Sequence, residues 1–485
     1  MIQIRDLSFR YLQDGPYILE HLNLDVGEGE WVVITGSSGC GKSTLALGLA
    51  GFLGKIIPGD VSGSILINGR DLLDENSSSI SEEVFLVQQN PENQFCTLTV
   101  REELAFGLEN RKIEPKEIEN RIAKALKALN AENLIDEQIN ALSGGQMQKL
   151  AIATAIALKP NVLIMDEPSS NLDPTATATL FQTLANLQDQ ESLTVIVIEH
   201  KPWIFKGLAA RQLVMRDGRL SENGKTSITS DFKVSPTANA KIDKSNPVIE
   251  LNGFSISFAS KQVLKIQNLK IYAGEIISLM GPNGSGKTSL LLSICGLIDF
   301  EAEKLKVLGK GVSKKEDRSV RINEGVVFQN PDHQLFCDSV KEEIFFAPRN
   351  FYEKIIDITW IQKLIKDFDF DKSLDRHPFH LSYGQKGRLN LASVLSFEPQ
   401  LLLLDEIFIG QDHEHVLFLL ETIKSYVREH SATAIIVNHS AWPVFNYATR
   451  MIFLDEKKIS IDCPITLACQ ELENASKTEY LPVFQ

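Results

Sequence analysis

The sequence predicts an α/β fold that occurs twice in tandem, each copy built around a mainly parallel sheet. A glycine-rich loop, GSSGCGKST at residues 36–44, recurs as GPNGSGKTS at residues 281–289, with 287 − 42 = 245 positions between the two lysines. In each copy, short β-rich runs alternate with helical stretches, a pattern typical of buried strands covered by helices. The 485 residues also exceed the roughly 250–300 that one hydrophobic core serves.

Four further pairs of residues repeat in the same order. The glutamine pair is offset by 329 − 89 = 240 positions, and the other three pairs are offset by 239, for example 382 − 143 = 239. Five matches in one order indicate two homologous domains and exclude chance motif matches. These four pairs are Gln89 and Gln329, Ser143 and Ser382, Asp166 and Asp405, and His200 and His439.

The secondary structure expected in each copy is a set of strands separated by helices, such as a helix over residues 118–131. Residues 221–247 between the copies are rich in Ser, Thr, Asn and Lys and lack apolar periodicity, which indicates a linker. The expected domains are therefore residues 1–220 and 248–485. The predicted strands lie at residues 31–35, 162–165, 194–198, 276–280, 401–404 and 434–437.

Composition argues against several classes of protein. A net charge of −14 and a pI near 5.3 give no electrostatic footprint for nucleic acid. The apolar runs are far shorter than the about 20 residues of a spanning helix, and the first ten residues lack a signal-peptide pattern. The six cysteines show no Cys-x-x-Cys spacing, so free thiols are expected. A cytoplasmic protein that binds no nucleic acid is expected.

Both glycine-rich loops fit the pattern G-x-x-x-x-G-K-[ST], each after a β-rich run and before a helical one. Such a loop wraps a polyphosphate with backbone N–H groups. Lys42 and Lys287 are expected to reach the terminal phosphates of ATP, and the hydroxyls of Ser43 and Thr288 to ligate Mg²⁺. The other ATP-binding candidates are Gly36, Ser37, Ser38, Gly39, Cys40, Gly41, Thr44, Gly281, Pro282, Asn283, Gly284, Ser285, Gly286 and Ser289.

An acidic pair follows an apolar strand in each copy, in VLIMDEP and LLLLDEI. Asp166 and Asp405 are expected to hold the coordination shell of the metal ion. Glu167 and Glu406 stand where they can orient or deprotonate the attacking water, as phosphoryl transfer to water requires. The retained glutamates predict ATP hydrolysis in both copies.

The stretch LSGGQ at residues 142–146 resembles the signature of the ATP-binding-cassette (ABC) family. It distinguishes the chain from nucleoside kinases and small GTPases, which also have a phosphate loop and an acidic pair. The resemblance covers nearly the whole chain twice and implies P-loop NTPase domains, each with a helical subdomain that carries the signature. The signature residues are Ser143, Gly144, Gly145 and Gln146 in the first copy, and Ser382, Tyr383, Gly384 and Gln385 in the second.

The resemblance also implies roles for residues outside these motifs. Tyr11 and Phe258 resemble the aromatic residues that stack on adenine, although either could instead be a core aromatic, and for Phe258 the two interpretations have equal weight. The glutamines Gln89 and Gln329 resemble those that couple the Mg²⁺ site to a membrane partner, and both are expected among the catalytic residues and the metal ligands. The aspartates that bridge the two domains correspond to Asp173 and Asp412, and the histidines that contact the γ-phosphate to His200 and His439.

In this family ATP lies between the phosphate loop of one domain and the signature of the other, so the chain is expected to form an intramolecular pair with two ATP sites. One site would join Lys42, Asp166, Glu167 and His200 to Ser382 and Gly384, and the other would join Lys287, Asp405, Glu406 and His439 to Ser143 and Gly145.

The second copy departs from the family pattern at three places. Tyr383 replaces a signature glycine, Ile407 replaces a proline, and FIGQD at residues 408–412 replaces the ordinary bridging loop. We expect the site closed by LSYGQ to turn over more slowly, because a tyrosine crowds backbone that should approach phosphate closely.

The phrases QNPENQF, QNPDHQLF and IPGDVSGSILINGRD, with the dipeptide Glu199-His200, resemble ATPases of energy-coupling-factor importers, which take up vitamins, vitamin precursors, nickel or cobalt. This resemblance implies two partners, a transmembrane coupling subunit and a small substrate-binding membrane protein, and a place on the cytoplasmic face of the membrane. Residues 91–100 and 331–340 would line the grooves for coupling helices, or be ordinary surface loops. Two alternatives remain, a sugar importer ATPase and a soluble translation factor of the ABC-F type.

Overall fold

The computed structural model divides the chain into two compact units, Met1–Ile228 and Thr229–Gln485. Ser221 and Pro247, the end residues of the expected linker, belong to strands, and His200 and most of the linker lie outside the described residues. No helix in the described part is both long and apolar enough to cross a membrane. The structure describes the whole chain except residues 13, 75–79, 81, 200–204, 206–209, 223–241, 243, 259–260, 313–321, 351–356, 440–441, 443 and 483–485.

Strands and helices alternate along the first unit. Its strands are β1 (Ile2–Arg10), β2 (Leu19–Val26), β3 (Trp31–Gly36), β4 (Asp60–Ile67), β5 (Arg70–Asp71), β6 (Val84–Val87), β7 (Val162–Asp166), β8 (Thr194–Ile198), β9 (Arg211–Arg216) and β10 (Arg219–Ser221). Its α-helices are α1 (Lys42–Leu49), α2 (Val100–Asn110), α3 (Pro115–Ala128), α4 (Gly144–Leu158) and α5 (Pro174–Glu191).

The first unit contains a parallel sheet with one antiparallel edge, and a smaller antiparallel sheet. The six-stranded sheet has the order β10-β9-β3-β8-β7-β6. All its neighbours are parallel except β10 and β9. The four-stranded sheet has the order β2-β1-β4-β5 and is antiparallel. This confirms the α/β class and the mainly parallel core.

The second unit repeats the arrangement of the first. Its strands are β11 (Pro247–Phe258), β12 (Lys261–Tyr272), β13 (Ile276–Met280), β14 (Lys304–Val307), β15 (Lys310–Gly311), β16 (Glu324–Val327), β17 (Leu401–Asp405), β18 (Thr433–Val437), β19 (Arg450–Asp455) and β20 (Lys458–Pro464). Its α-helices are α6 (Lys287–Ile294), α7 (Val340–Asn350), α8 (Ile358–Asp367), α9 (Tyr383–Leu395), α10 (His413–His430) and α11 (Ala468–Asn474).

The sheets of the second unit match those of the first. The six-stranded sheet has the order β16-β17-β18-β13-β19-β20, and only β20 is antiparallel to its neighbour. The four-stranded sheet has the order β12-β11-β14-β15. Because the strands are parallel, β13 and β17 end at the same edge of the sheet, as β3 and β7 do in the first unit. The loops that follow these strands therefore meet at that edge.

Each central strand contributes to two apolar cores, because successive side chains point to opposite faces of a sheet. In β8, Val195 and Val197 pack beneath the helices α2–α5, whereas Ile196 and Ile198 pack toward the four-stranded sheet and α1. All five residues of β8 are buried. This explains why the central strands read as unbroken apolar runs.

All six predicted strands are confirmed, with shifts of at most one residue at their ends. The helix predicted over residues 118–131 differs at both ends. It begins at Pro115, which is favoured at a first helical position because it has no N–H to satisfy. It ends at Ala128, since Asn130 has a φ of 49°, outside the helical region.

Candidate active sites

Each glycine-rich loop joins the end of a central strand to a helix. In the first unit β3 ends at Gly36 and α1 begins at Lys42; the second unit repeats this between β13 and α6. The residues that precede the helices, Gly41 and Gly286, have φ values of 104° and 96°, and no side chain caps either first turn. The N–H groups of these turns are therefore available to an anionic ligand.

The first glycine of each loop packs against a neighbouring strand too closely for any side chain. A Cβ atom on Gly36 would lie 2.3 Å from the carbonyl oxygen of Met215, and one on Gly281 would lie 2.1 Å from that of Leu454. Both glycines also have positive φ, 157° and 143°. The loop therefore begins where only glycine fits.

The two loop lysines are buried and point into their own loops. Nζ of Lys42 donates to the carbonyl oxygens of Gly36 and Ser37, at 2.9 and 2.7 Å. Nζ of Lys287 makes the corresponding pair of bonds, at 2.9 and 3.0 Å. Each ammonium group is thus held inside a loop that the backbone N–H groups make favourable for a polyphosphate.

The loop hydroxyl and the strand-end aspartate meet in the second unit. Oγ1 of Thr288 donates to Oδ2 of Asp405 at 2.8 Å. The other carboxylate oxygen of Asp405 is buried and has no hydrogen-bond partner among the described residues. Hydroxyl and carboxylate oxygens are the ligands that Mg²⁺ prefers, so this pair fits the ion. The first unit has Ser43 and Asp166 in the same order.

The ionisation of Asp405 is sensitive to its surroundings. Burial, and after it the charge of Glu406, raises the pKa of Asp405 to about 7, although the Thr288 hydrogen bond and the charge of Lys287 act in the opposite direction. A divalent cation beside this carboxyl would favour its ionised form.

The glutamates that follow these aspartates have the same unusual backbone in both units. Glu167 and Glu406 have φ values of 49° and 50°, a region that residues other than glycine rarely occupy and that clusters at functional sites. Their carboxylates accept hydrogen bonds from the predicted glutamines: Nε2 of Gln89 lies 2.8 Å from Oε2 of Glu167, and Nε2 of Gln329 lies 3.0 Å from Oε2 of Glu406. The structure thus brings the glutamine and the glutamate together in each unit.

The predicted histidine joins this group in the second unit. Nε2 of His439 lies 2.5 Å from Oε1 of Glu406. His200, its counterpart, lies outside the described residues. Glu406 is therefore contacted through both carboxylate oxygens, by Gln329 and by His439.

The two aromatic candidates are exposed. Tyr11 is 45% exposed, and its hydroxyl lies 3.1 Å from Oγ1 of Thr44 at the end of the first phosphate loop. Phe258 is 47% exposed at the end of β11. Exposure excludes the core interpretation for Phe258 and leaves both rings accessible for stacking on a base.

The signature residues form the start of a helix in each unit. Ser143 and Ser382 cap α4 and α9, each paired with a glutamine three positions later in a reciprocal capping box. Tyr383, the first residue of α9, donates its hydroxyl to the carbonyl oxygen of Gln329 at 3.1 Å. The first unit has Gly144 at this position.

Asp173 and Asp412 are the N-caps of α5 and α10, accepting N–H bonds from Ala176 at 2.8 Å and His415 at 2.9 Å. An aspartate directly before a helix commonly caps it, but this capping role was not predicted.

Sequence reasoning also missed a buried contact beside the first acidic pair. Oγ of Ser169 lies 2.6 Å from Oε2 of Glu199. No local signal marks it, because 30 residues separate the partners.

Comparison with known proteins agrees with these motifs. The sequence profile described as ABC transporter matches residues 19–170 and 264–408. A "Putative ABC transporter ATP-binding protein" of Methanosarcina mazei is 31% identical over 99% of this chain and 92% of its own length. The "Putative HMP/thiamine import ATP-binding protein YkoD" of Bacillus subtilis is 30% identical over 97% of this chain and 93% of its own length.

A solved structure described as "Model of ribosome-bound archaeal Pelota and ABCE1" covers 99% of this chain and 86% of the matched chain, with a TM-score of 0.70 and 20% identity. Identity at this level shows the fold alone. The matched profile and the relatives decide the family: the chain belongs to the ABC transporter ATP-binding proteins and is an ATPase with two tandem ABC domains.

Proposed function

We propose that this chain is the ATP-hydrolysing motor of an importer of the energy-coupling-factor type, acting at the cytoplasmic face of the cell membrane. Its two domains would form a head-to-tail pair that ATP closes and hydrolysis reopens, with the two composite ATP sites described above. Its partners would be a transmembrane coupling subunit and a small substrate-binding membrane protein. The import function in the name of the Bacillus subtilis relative supports this proposal.

The observation that carries the proposal is an exposed aromatic pair. One ring lies in the Gln329 loop, which is residues 328–339 between β16 and α7, and the other lies in α7. Phe336 is 62% exposed and Phe346 is 44% exposed, and their rings meet edge to face with centroids 4.7 Å apart. In the first unit, Leu98 and Phe106 are 80% and 48% exposed in the corresponding segment. Large exposed apolar groups gathered in this way mark interaction surfaces. An apolar coupling helix is a suitable occupant.

The contacts within the second domain support a role in hydrolysis for each of its site residues. Glu406 would orient the attacking water and accept its proton, and Gln329 and His439 would hold the carboxylate in place. Lys287 and the helix N-terminus would bind the phosphates. Mg²⁺ held by Thr288 and Asp405 would supply stabilisation of the charge on the phosphoryl oxygens.

The segment after the glutamine also provides the test. Affinity purification of the tagged chain from detergent-solubilised membranes is expected to recover a polytopic membrane protein and a small membrane protein, identified by mass spectrometry. Phe336→Glu should reduce this recovery at least several-fold, because it places a charge in an apolar contact. Ile56→Glu is the matched control, since Ile56 is 59% exposed but distant in sequence from both glutamines.

The alternatives predict other results. Recovery of ribosomal proteins would support the translation-factor alternative and contradict the importer. Recovery of two polytopic membrane proteins without a small membrane protein would favour another class of importer, such as a sugar importer. Equal losses with Phe336→Glu and Ile56→Glu would show that the aromatic pair is not the docking surface.

A further inference from the structure

The signature helix of the second unit is joined to the Gln329 loop by three polar side chains. The residues are Tyr383, Lys386 and Asn390, whose spacing of three and four positions places them on one face of α9. Besides the tyrosine bond to Gln329, Nζ of Lys386 lies 2.7 Å from Oδ1 of Asp332. Nδ2 of Asn390 donates to the carbonyl of Pro331 at 3.0 Å.

These contacts are shielded from solvent. The side chain of Lys386 is 13% exposed and that of Asp332 is 24% exposed, and Asn390 is buried. Exposed ion pairs contribute little to stability, because solvent screens them. The pair of Lys386 and Asp332 is screened less. The three contacts therefore attach the first two turns of α9 to one short loop.

A second set of contacts holds the opposite side of the same helix start. Nε2 of Gln411 donates to the carbonyl of Gly384 at 2.7 Å, and Arg388 donates to Oε1 of Gln411 at 2.9 Å. A Cβ atom on Gly384 would lie 2.4 Å from the carbonyl oxygen of Gly410. The start of α9 is thus packed between the Gln329 loop and the loop that precedes α10.

The first unit has the same loop but not the same helix face. At an offset of 239, the residues corresponding to Tyr383, Lys386, Asn390 and Gln411 are Gly144, Met147, Ala151 and Leu172. None of these four side chains carries a hydrogen-bond donor. The connection from helix to loop through side-chain donors at these positions is therefore a property of the second unit.

The residue that receives the tyrosine bond also contacts the glutamate of the acidic pair. Gln329 accepts from Tyr383 through its backbone carbonyl and donates to Glu406 through its side chain. We propose that Tyr383 is a positioning residue for ATP hydrolysis in its own unit: its hydroxyl fixes the Gln329 backbone, so that α9 and Gln329 move together and hold Glu406 in place. Gly144 gives the first unit no such control.

The test uses a background in which Glu167→Gln reduces hydrolysis at the first acidic pair. In that background, Tyr383→Phe is expected to lower kcat about two- to tenfold, the effect of one net hydrogen bond, while KM for ATP changes less than twofold. Such a split indicates a loss specific to the reaction step. Thermal melting should confirm that the variant is folded.

Tyr426→Phe is the matched control. Tyr426 is a buried tyrosine of the same unit, and its hydroxyl likewise donates to a backbone carbonyl, that of Pro399 at 2.8 Å. Its removal should lower the melting temperature and leave kcat unchanged. Equal losses of kcat from Tyr383→Phe and Tyr426→Phe would assign both to general destabilisation and overturn the proposal.

A double-mutant cycle tests the route through Gln329. Once Gln329→Ala has removed the side chain that reaches Glu406, Tyr383→Phe should lower kcat no further. Full additivity of the two changes, or an unchanged kcat with Tyr383→Phe alone, would show that the hydroxyl does not act through Gln329. Loss of all hydrolysis from Glu406→Gln, with no effect of Tyr383→Phe, would overturn this inference while leaving the ATPase chemistry intact.

Discussion

Replacing Glu406 by glutamine is expected to remove most of the ATP turnover of the chain. The glutamine side chain has nearly the same shape but cannot accept a proton from the attacking water. Loss of a general base lowers a reaction step by about 10²–10⁴-fold. Hydrolysis at the second acidic pair should fall by this factor, and the remaining turnover should be that of the first.

The corresponding change in the first domain should have a smaller effect. Glu167 would belong to the site that LSYGQ is expected to close, where we predict slower turnover. Glu167→Gln should therefore leave more than half of the steady-state phosphate release, and the double variant should leave almost none. Equal losses from the two single variants would contradict the predicted inequivalence of the sites.

Binding of ATP provides the control for both variants. Because neither change touches the phosphate loops, titration with ATP under conditions that prevent turnover should give two bound nucleotides per chain in each variant. A loss of binding by Glu406→Gln would mean that the glutamate supports the structure of the site, and its turnover result could not then be assigned to proton transfer.

Lys287→Ala should weaken ATP binding at one of the two sites. The ammonium of Lys287 is held by two loop carbonyls beside the first turn of α6. Hydrogen bonds to charged groups contribute about 1.5–3 kcal/mol, so the affinity for ATP is expected to fall about tenfold to a hundredfold. Isothermal titration should show one tight site and one weak site.

Two companion variants sharpen this measurement. Lys42→Ala should weaken the other site by a similar factor, since Lys42 makes the same pair of carbonyl bonds, and the double variant should bind no ATP tightly. Lys310→Ala, at an exposed lysine of the same unit, should leave both affinities unchanged. Two tight sites in Lys287→Ala would show that the lysine does not bind phosphate.

The polar contacts of the second unit show that motifs alone do not identify the partners of a side chain. From the sequence, Tyr383 is a departure from the signature that predicts crowding near phosphate. In the structure its hydroxyl also bonds to the carbonyl of Gln329, 54 positions earlier in the same unit. Nothing in the local sequence indicates that partner. Alignment of the two copies does offer a signal, because polar residues at 383, 386 and 390 replace Gly144, Met147 and Ala151 of the first copy.

The aromatic candidates show the same limit. Periodicity could not decide between a core role and an exposed role for Phe258, because strand ends carry aromatic residues in both situations. Only the accessible surface of the folded unit decided it.

The sequence by itself determined the tandem α/β architecture, the phosphate loops and the strand-end acidic pairs. Each of these depends on contiguous residues: a glycine that alone tolerates the backbone, a lysine at the start of a helix, and carboxylates at the end of an apolar strand. Tertiary structure decided which distant groups meet, such as Gln329 with Glu406 across 77 positions and Tyr383 with Gln329. Such contacts depend on how strands and helices pack, because a hydrogen bond requires its two atoms to lie about 3 Å apart. The fold, and not the spacing along the chain, decides which side chains come that close.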